Sequence, residues 1–234
     1  MSFRSIAAPA ILLVVLLLLS ACAGGQNAVP GKVKGDRSFA KGDYNAAIEH
    51  YRLYLESEFG AADVSDAQFM MARSYYEAQE YPSAALEFEI YRRNYPRSDS
   101  LEAAGYYEAL CYWQQSPQYD RDATPTLQAI RKLEDYLLDF PGGVHEEDAR
   151  AKLFVLREKL ALKTLSTARF YQRLKRLDAA ALYYEKLLRE HPDSALLGEA
   201  LEDFEGLRRQ QGREAEAEEL AGMRRNWRPP GGAP

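Results

Sequence analysis

From about residue 33 to residue 225, apolar side chains recur three and four positions apart, the spacing that gathers them on one face of an α-helix. No stretch alternates apolar and polar between glycine-rich turns as a half-buried strand does. One frame within this pattern recurs: an alanine, a large residue four positions on, another after three more, and a proline after five more. It reads Ala84, Phe88, Tyr91, Pro96, then Ala129, Leu133, Tyr136, Pro141, and again Ala180, Tyr184, Leu187, Pro192. Ala47, Tyr51, Tyr54 and Phe59 fit it with phenylalanine in the proline slot. Bulky residues stand three positions before the alanine at Tyr44, Tyr81 and Leu177. An alanine lets two antiparallel helices approach closely, the large residues fill the gap to the next helix, and the proline stops the helix.

The frame resembles the second helix of the tetratricopeptide repeat. Candidate first helices precede it. Ser65-Asp-Ala-Gln68 reads as a capping box opening a helix through Met71, Ala72 and Tyr75. Tyr107-x2-Leu110-Cys111 carries the large–large–small trio of that family's first helix, and Thr124-Pro125 is a helix start with proline in its tolerated first turn. A fifth unit is expected from Leu197 to Gln211 and from Arg213 to Arg225, with Gly212 between. The fold expected is all-α, a right-handed superhelical solenoid of about five helix pairs.

The spacing is irregular. The alanine frames fall at 47, 84, 129 and 180, intervals of 37, 45 and 51. An insert, Gln115 to Ala123, lengthens the second interval, and a stretch without Gly or Pro, His145 to Arg176, lengthens the third and reads as one long helix of about 45 Å. That helix divides N-terminal repeats (33–143) from a C-terminal part (144–226), and the tail 227–234, Trp-Arg-Pro-Pro-Gly-Gly-Ala-Pro, is expected to be disordered.

The first 21 residues change the picture, because they read as an export signal. Arg4 gives a positive start and Ile11 to Leu19 an apolar run, which at about 14 Å of helix falls short of the roughly 30 Å of a bilayer core. Leu19-Ser20-Ala21-Cys22 resembles the bacterial lipobox, which implies a diacylglyceryl group on the Cys22 thiol, cleavage before it and acylation of the new amine. Such acyl chains hold a protein on a bilayer essentially permanently. The alternative is an ordinary signal peptide with a chance cysteine at its end. No Asp follows Cys22, which in such lipoproteins implies sorting to the outer membrane, and residues 22–32 read as a tether. Lys+Arg 30 against Asp+Glu 35 makes the chain acidic and gives no footprint for nucleic acid. With Cys22 lipidated, Cys111 has no intramolecular partner, so packing must supply the stability.

The lipobox, the repeats, Ala109-Leu-Cys-Tyr112, the insert with Asp120-Arg-Asp122 and the helix Leu153-x2-Leu-Arg-Glu-Lys-Leu-Ala161 together resemble the BamD/ComL (YfiO) family over roughly residues 33 to 225. That family is the lipoprotein subunit of the machinery that inserts β-barrel proteins into outer membranes. The resemblance implies a non-enzymatic scaffold on the periplasmic face of the outer membrane. Its N-terminal half would receive extended segments of unfolded barrel precursors. Its C-terminal half would dock on the periplasmic domains of a BamA-like central barrel subunit, with Arg189 a candidate contact. Arg189 can equally be a solvated cation complementing a helix C-terminus. Another repeat lipoprotein, such as a pilotin for secretin or pilus assembly, is the rival reading; its repeats would be regularly spaced.

Catalytic chemistry finds no support in the pattern. His50, His145 and His191 lie on separate elements without metal-ligand spacing, and Gly142-Gly143 lacks a phosphate-loop context. No cofactor is expected beyond the lipid on Cys22. Cys111 sits in a small-residue slot and reads as a buried, inert thiol, and most of the 16 tyrosines fall on packing positions. Groove candidates come from the first helix of the second repeat: Phe69, Arg73 and Tyr76, at i, i+4 and i+7, with Glu77 beside them. An aromatic–basic–aromatic stripe suits an extended peptide with an aromatic end and a terminal carboxylate. The alternative packs Phe69 and Tyr76 against the first repeat and leaves Arg73 in solvent.

Overall fold

Each alanine frame becomes the second helix of an antiparallel pair. The computed structural model describes residues 31–57 and 62–229. Within them the first pair is α1 (Gly31–Ala40) and α2 (Tyr44–Ser57), the second α3 (Val64–Glu77) and α4 (Tyr81–Asn94), the third α5 (Leu101–Gln115) and α6 (Thr124–Asp139). The fourth is α7 (Glu146–Arg173) with α8 (Leu177–Glu190), the fifth α9 (Leu197–Gln210) with α10 (Glu214–Asn226). Helices adjacent in sequence pack on one another, and α1 touches α3 as α3 touches α5, which is how a helical-repeat solenoid stacks.

Burial follows the frame. Ala47, Ala84, Ala129 and Ala180 are 0% exposed, and so are Tyr51, Phe88, Leu133 and Tyr184 four positions on. The buried tyrosines find partners for their hydroxyls, as burial demands. Tyr51 donates to Asp36 at 2.7 Å, Tyr136 to Glu102 at 2.9 Å and Tyr184 to Gln172 at 2.8 Å. Each of these bonds ties a second helix back to its own first helix.

Four of the five turns within pairs close the same way. The second residue after the first helix takes a left-handed conformation and donates to the carbonyl three back, while the next donates to the carbonyl five back, the Schellman arrangement. Glycine suits that conformation and stands there at Gly42 (φ 78°) and Gly212 (φ 74°). In the second and fourth pairs it is Gln79 (φ 63°) and Lys175 (φ 59°), at a cost of about 1 kcal/mol each.

The two irregularities of the sequence are bound to one another. Lys159 on α7 donates to the Ser116 hydroxyl at 2.8 Å, and Lys163, one turn on, to the carbonyls of Tyr119 and Arg121 at 3.2 and 2.5 Å. The insert expected from Gln115 begins at Ser116, since Gln115 is the last residue of α5, and the long helix holds it as a strap. α7 also belongs to two cores. Ala149, Leu153 and Leu156 pack with the third pair, and Leu165 and Ala168 pack with the fourth and fifth.

Several boundaries differ from the sequence reading. The tether expected to reach Lys32 gives way to helix at Gly31, because Gly31 and Gly35 lie against Tyr54 and Tyr51, where a larger side chain would collide. The long helix is Glu146–Arg173 rather than His145 to Arg176, about 42 Å, since Lys175 breaks it. The capping box at Ser65 is not formed: the cap falls two residues earlier, at Asp63, whose carboxylate accepts from Tyr54 instead. Cys22, Phe59 and residues 230–234 lie outside the described residues.

Trp227 departs from the expected disordered tail. It caps α10, and its ring covers the last core, lying where a side chain on Gly198 would have to be: an added Cβ there would stand 2.6 Å from it. Gly198→Ala should therefore dislodge the ring and cost about 1–3 kcal/mol, read as a lowered thermal midpoint. An unchanged midpoint would mean that Trp227 contributes nothing to closing the solenoid.

Candidate binding surface

α3 carries the candidate stripe, and the structure splits it. Phe69 is 8% exposed and meets Phe88, Tyr91 and Tyr107 edge-on at centroid distances of 5.8, 5.5 and 6.5 Å. It is core between the second and third repeats, so it is withdrawn from the groove and is not packed on the first repeat either. The reason is its register: residue 69 faces α4 and the following first helix, not the open side.

Arg73, Tyr76 and Glu77 do stand together. The Arg73 guanidinium lies 4.3 Å over the Tyr107 ring and 5.9 Å from that of Phe39, and Arg73 ion-pairs with Glu77 at 3.2 Å. Tyr76 is half-buried against Tyr81 and Tyr107, its hydroxyl accepts from Gln114 at 3.5 Å, and burial pushes its phenol above the ordinary pKa. The cation thus rests on an aromatic floor built from α1, α3 and α5. Sequence reasoning missed Tyr107, Phe39 and Gln114, which come from other repeats; only an alignment of first helices in space could have joined them. The pattern continues along α5, where Lys132 stands 5.5 Å over Tyr112 and Lys152 5.2 Å over Trp113.

A second surface lies at the step between halves. α7 is twice the length of α8, so its N-terminal part projects beyond its partner helix. A recess of about 410 Å³ opens there, walled by Leu127, Ile130, Leu153, Phe154, His191 and Pro192. Glu190 also lines it, and Arg189 beside it is 70% exposed on its side chain and pairs with Glu190 at 3.2 Å.

Nucleophile and metal chemistry have no foothold among the described residues. Cys111 is fully buried, and burial pushes its thiol up to about 12, leaving it protonated at neutral pH. No group of three or more His, Cys, Asp or Glu side chains could hold a metal, and no helix is long and apolar enough to cross a membrane, in each case among the described residues.

Stacked helix pairs that present cationic side chains over aromatic rings define a helical-repeat protein of tetratricopeptide type. The chain belongs to the YfiO family of outer membrane lipoproteins, whose model matches residues 33–222. It is 26% identical over 162 residues to the outer membrane protein assembly factor BamD of Caulobacter vibrioides, covering 69% of this chain and 53% of that one. To the BamD of Haemophilus influenzae it is 22% identical over 213 residues, covering 85% of this chain and 81% of the relative. Against solved structures, it superposes on residues 41 to the end of MamA from Desulfovibrio magneticus RS-1 with a TM-score of 0.38 and 12% identity, covering 86% of this chain and 96% of that one. The chain is a non-enzymatic scaffold associated with the outer membrane.

Proposed function

We propose that this chain is an outer-membrane protein assembly factor, held on the periplasmic face of the outer membrane by lipid on Cys22. It acts by bringing extended segments of unfolded barrel precursors to a BamA-like central subunit. The names of its relatives support the general role. The observation that carries the finer reading is the Arg73 guanidinium, seated on Tyr107 beside Tyr76 on the first-helix side of the N-terminal repeats. A half-buried cation on an aromatic floor can receive a carboxylate while the rings hold an aromatic neighbour. Glu77 occupies that cation at rest and would be displaced by the stronger acceptor. Docking falls to the recess at the step between halves, with Arg189 at its edge.

The test is a pulldown of the tagged, lipidated protein in mild detergent, with mass spectrometry of what is retained. Near-stoichiometric recovery of a barrel protein with several periplasmic domains is expected, and depletion of the chain should lower many outer-membrane barrels together. Recovery of a secretin or pilus proteins without that barrel would overturn the reading in favour of a pilotin.

A further inference from the structure

The turn between α7 and α8 carries Arg173, Lys175 and Arg176, all exposed, and no ion pair joins any of the three to a carboxylate among the described residues. Arg169, one turn back, differs in being held by Glu199 and Asp203 at 2.5 and 2.6 Å. Phe170 and Leu174, at i and i+4 on the end of α7, are 49% and 51% exposed among these cations. A shallow recess of about 320 Å³ opens beside them, lined by Arg169, Gln172, Arg173, Lys175, Asp203 and Gln210. Lys175 also holds the left-handed position that glycine fills at Gly42 and Gly212, so the chain keeps a cation where its own geometry prefers none.

We propose that this turn is a second membrane contact, binding the anionic head groups of a phospholipid surface. The inference builds on the lipid-anchored reading above. Eight residues separate Cys22 from Gly31, a span of at most about 30 Å, so an anchored solenoid stays beside the bilayer. Cations next to a bilayer are drawn to anionic lipid, and their stems let neighbouring apolar side chains enter the interface while the charges stay at head-group level. An acidic peptide would satisfy Arg173, Lys175 and Arg176 but leave Phe170 and Leu174 in water; a membrane interface satisfies both. The recess is roomy enough for a head-group phosphate, which Arg173 and Lys175 reach from its rim. A contact here would give the solenoid a second point of attachment beside Cys22 and so fix how it leans on the membrane.

The experiment uses the chain from residue 22 onward with Cys22→Ser, so that no acyl group contributes, and vesicles of phosphatidylcholine with or without phosphatidylglycerol. Flotation with the phosphatidylglycerol vesicles is expected, weakening as salt rises. The triple variant R173Q/K175Q/R176Q should bind those vesicles roughly a hundredfold more weakly. Lys175→Gly separates binding from folding: it relieves the left-handed lysine and should raise the thermal midpoint by a few degrees, yet bind several-fold more weakly. Equal flotation with neutral vesicles, or full binding by these variants, would overturn the proposal. So would capture by a polyglutamate peptide without vesicle binding, which would assign the turn to an acidic protein. Acylation of Cys22 is scored separately by palmitate labelling of the native chain, so failure of the anchor and failure of the turn are read in different assays.

Discussion

Glu108→Ala is expected to destabilise the protein by about 3 kcal/mol, read by chemical denaturation. Glu108 is 1% exposed in the middle of α5, a position where a lone carboxylate would be untenable. It is held by Arg92 of α4 at 2.8 Å and by Lys132 of α6 at 2.6 Å, so one carboxylate joins the second and third repeats. Burial by itself would lower the pKa of both cations; the hydrogen bonds and charge of Glu108 outweigh it and raise both. Breaking a buried ion pair by removing one partner costs about 3–5 kcal/mol, because the other charge is left uncompensated. The lower end applies here: Arg92 keeps Asp139 at 2.6 Å, and the side chains of Arg92 and Lys132 are 26% and 31% exposed. Replacing Glu108 and Lys132 together by methionine should recover most of the loss, since a packed apolar pair needs no compensation. A cost below about 1 kcal/mol for Glu108→Ala would show that water, not Glu108, satisfies the two cations.

The repeats were legible because their physics is local. An alanine at 0% exposure with a large residue four positions on is a statement about one helix face, and four such frames survive unequal spacing. The long helix was legible for the same reason: no Gly or Pro interrupts it. What the chain alone could not disclose depends on residues far apart in sequence. Phe69 looks like a groove residue until Tyr107, on the next first helix, closes over it. Lys159 and Lys163 hold the insert across separations of 43 and 42 residues, which no helix pattern discloses. Lys175 could not be seen as a turn residue, because the first and fifth pairs use glycine there and the helix pattern runs on through it. Trp227 looked like the start of a loose tail because its receiving surface, Gly198, lies at the far end of its pair, on the first turn of α9. The proposed groove inherits this asymmetry. Arg73, Tyr76 and Glu77 are placed by one helix, whereas the rings beneath the cation come from two others.

That division makes the Phe69→Ala and Arg73→Ala pair the most informative test of the groove. Phe69→Ala should cost about 3–5 kcal/mol of stability, the usual loss for a buried phenylalanine, because its ring meets three others. Arg73→Ala removes a cation whose side chain is 25% exposed, which ion-pairs with Glu77 and lies over the rings of Tyr107 and Phe39. Its stability loss should stay near 1 kcal/mol, since a partly exposed ion pair contributes little and a cation over a ring about as much. The order reverses in binding. Photocrosslinking to an extended peptide with an aromatic residue and a free C-terminal carboxylate should fall about 10- to 100-fold in Arg73→Ala, the value of one charge-assisted hydrogen bond. In Phe69→Ala at a temperature where the chain remains folded, the same crosslinking should change little. Glu77→Gln, which frees the guanidinium without removing it, should bind the peptide as well or better. If Phe69→Ala abolishes crosslinking while folded and Arg73→Ala does not, the groove lies elsewhere, and the aromatic packing rather than the cation decides what this face recognises.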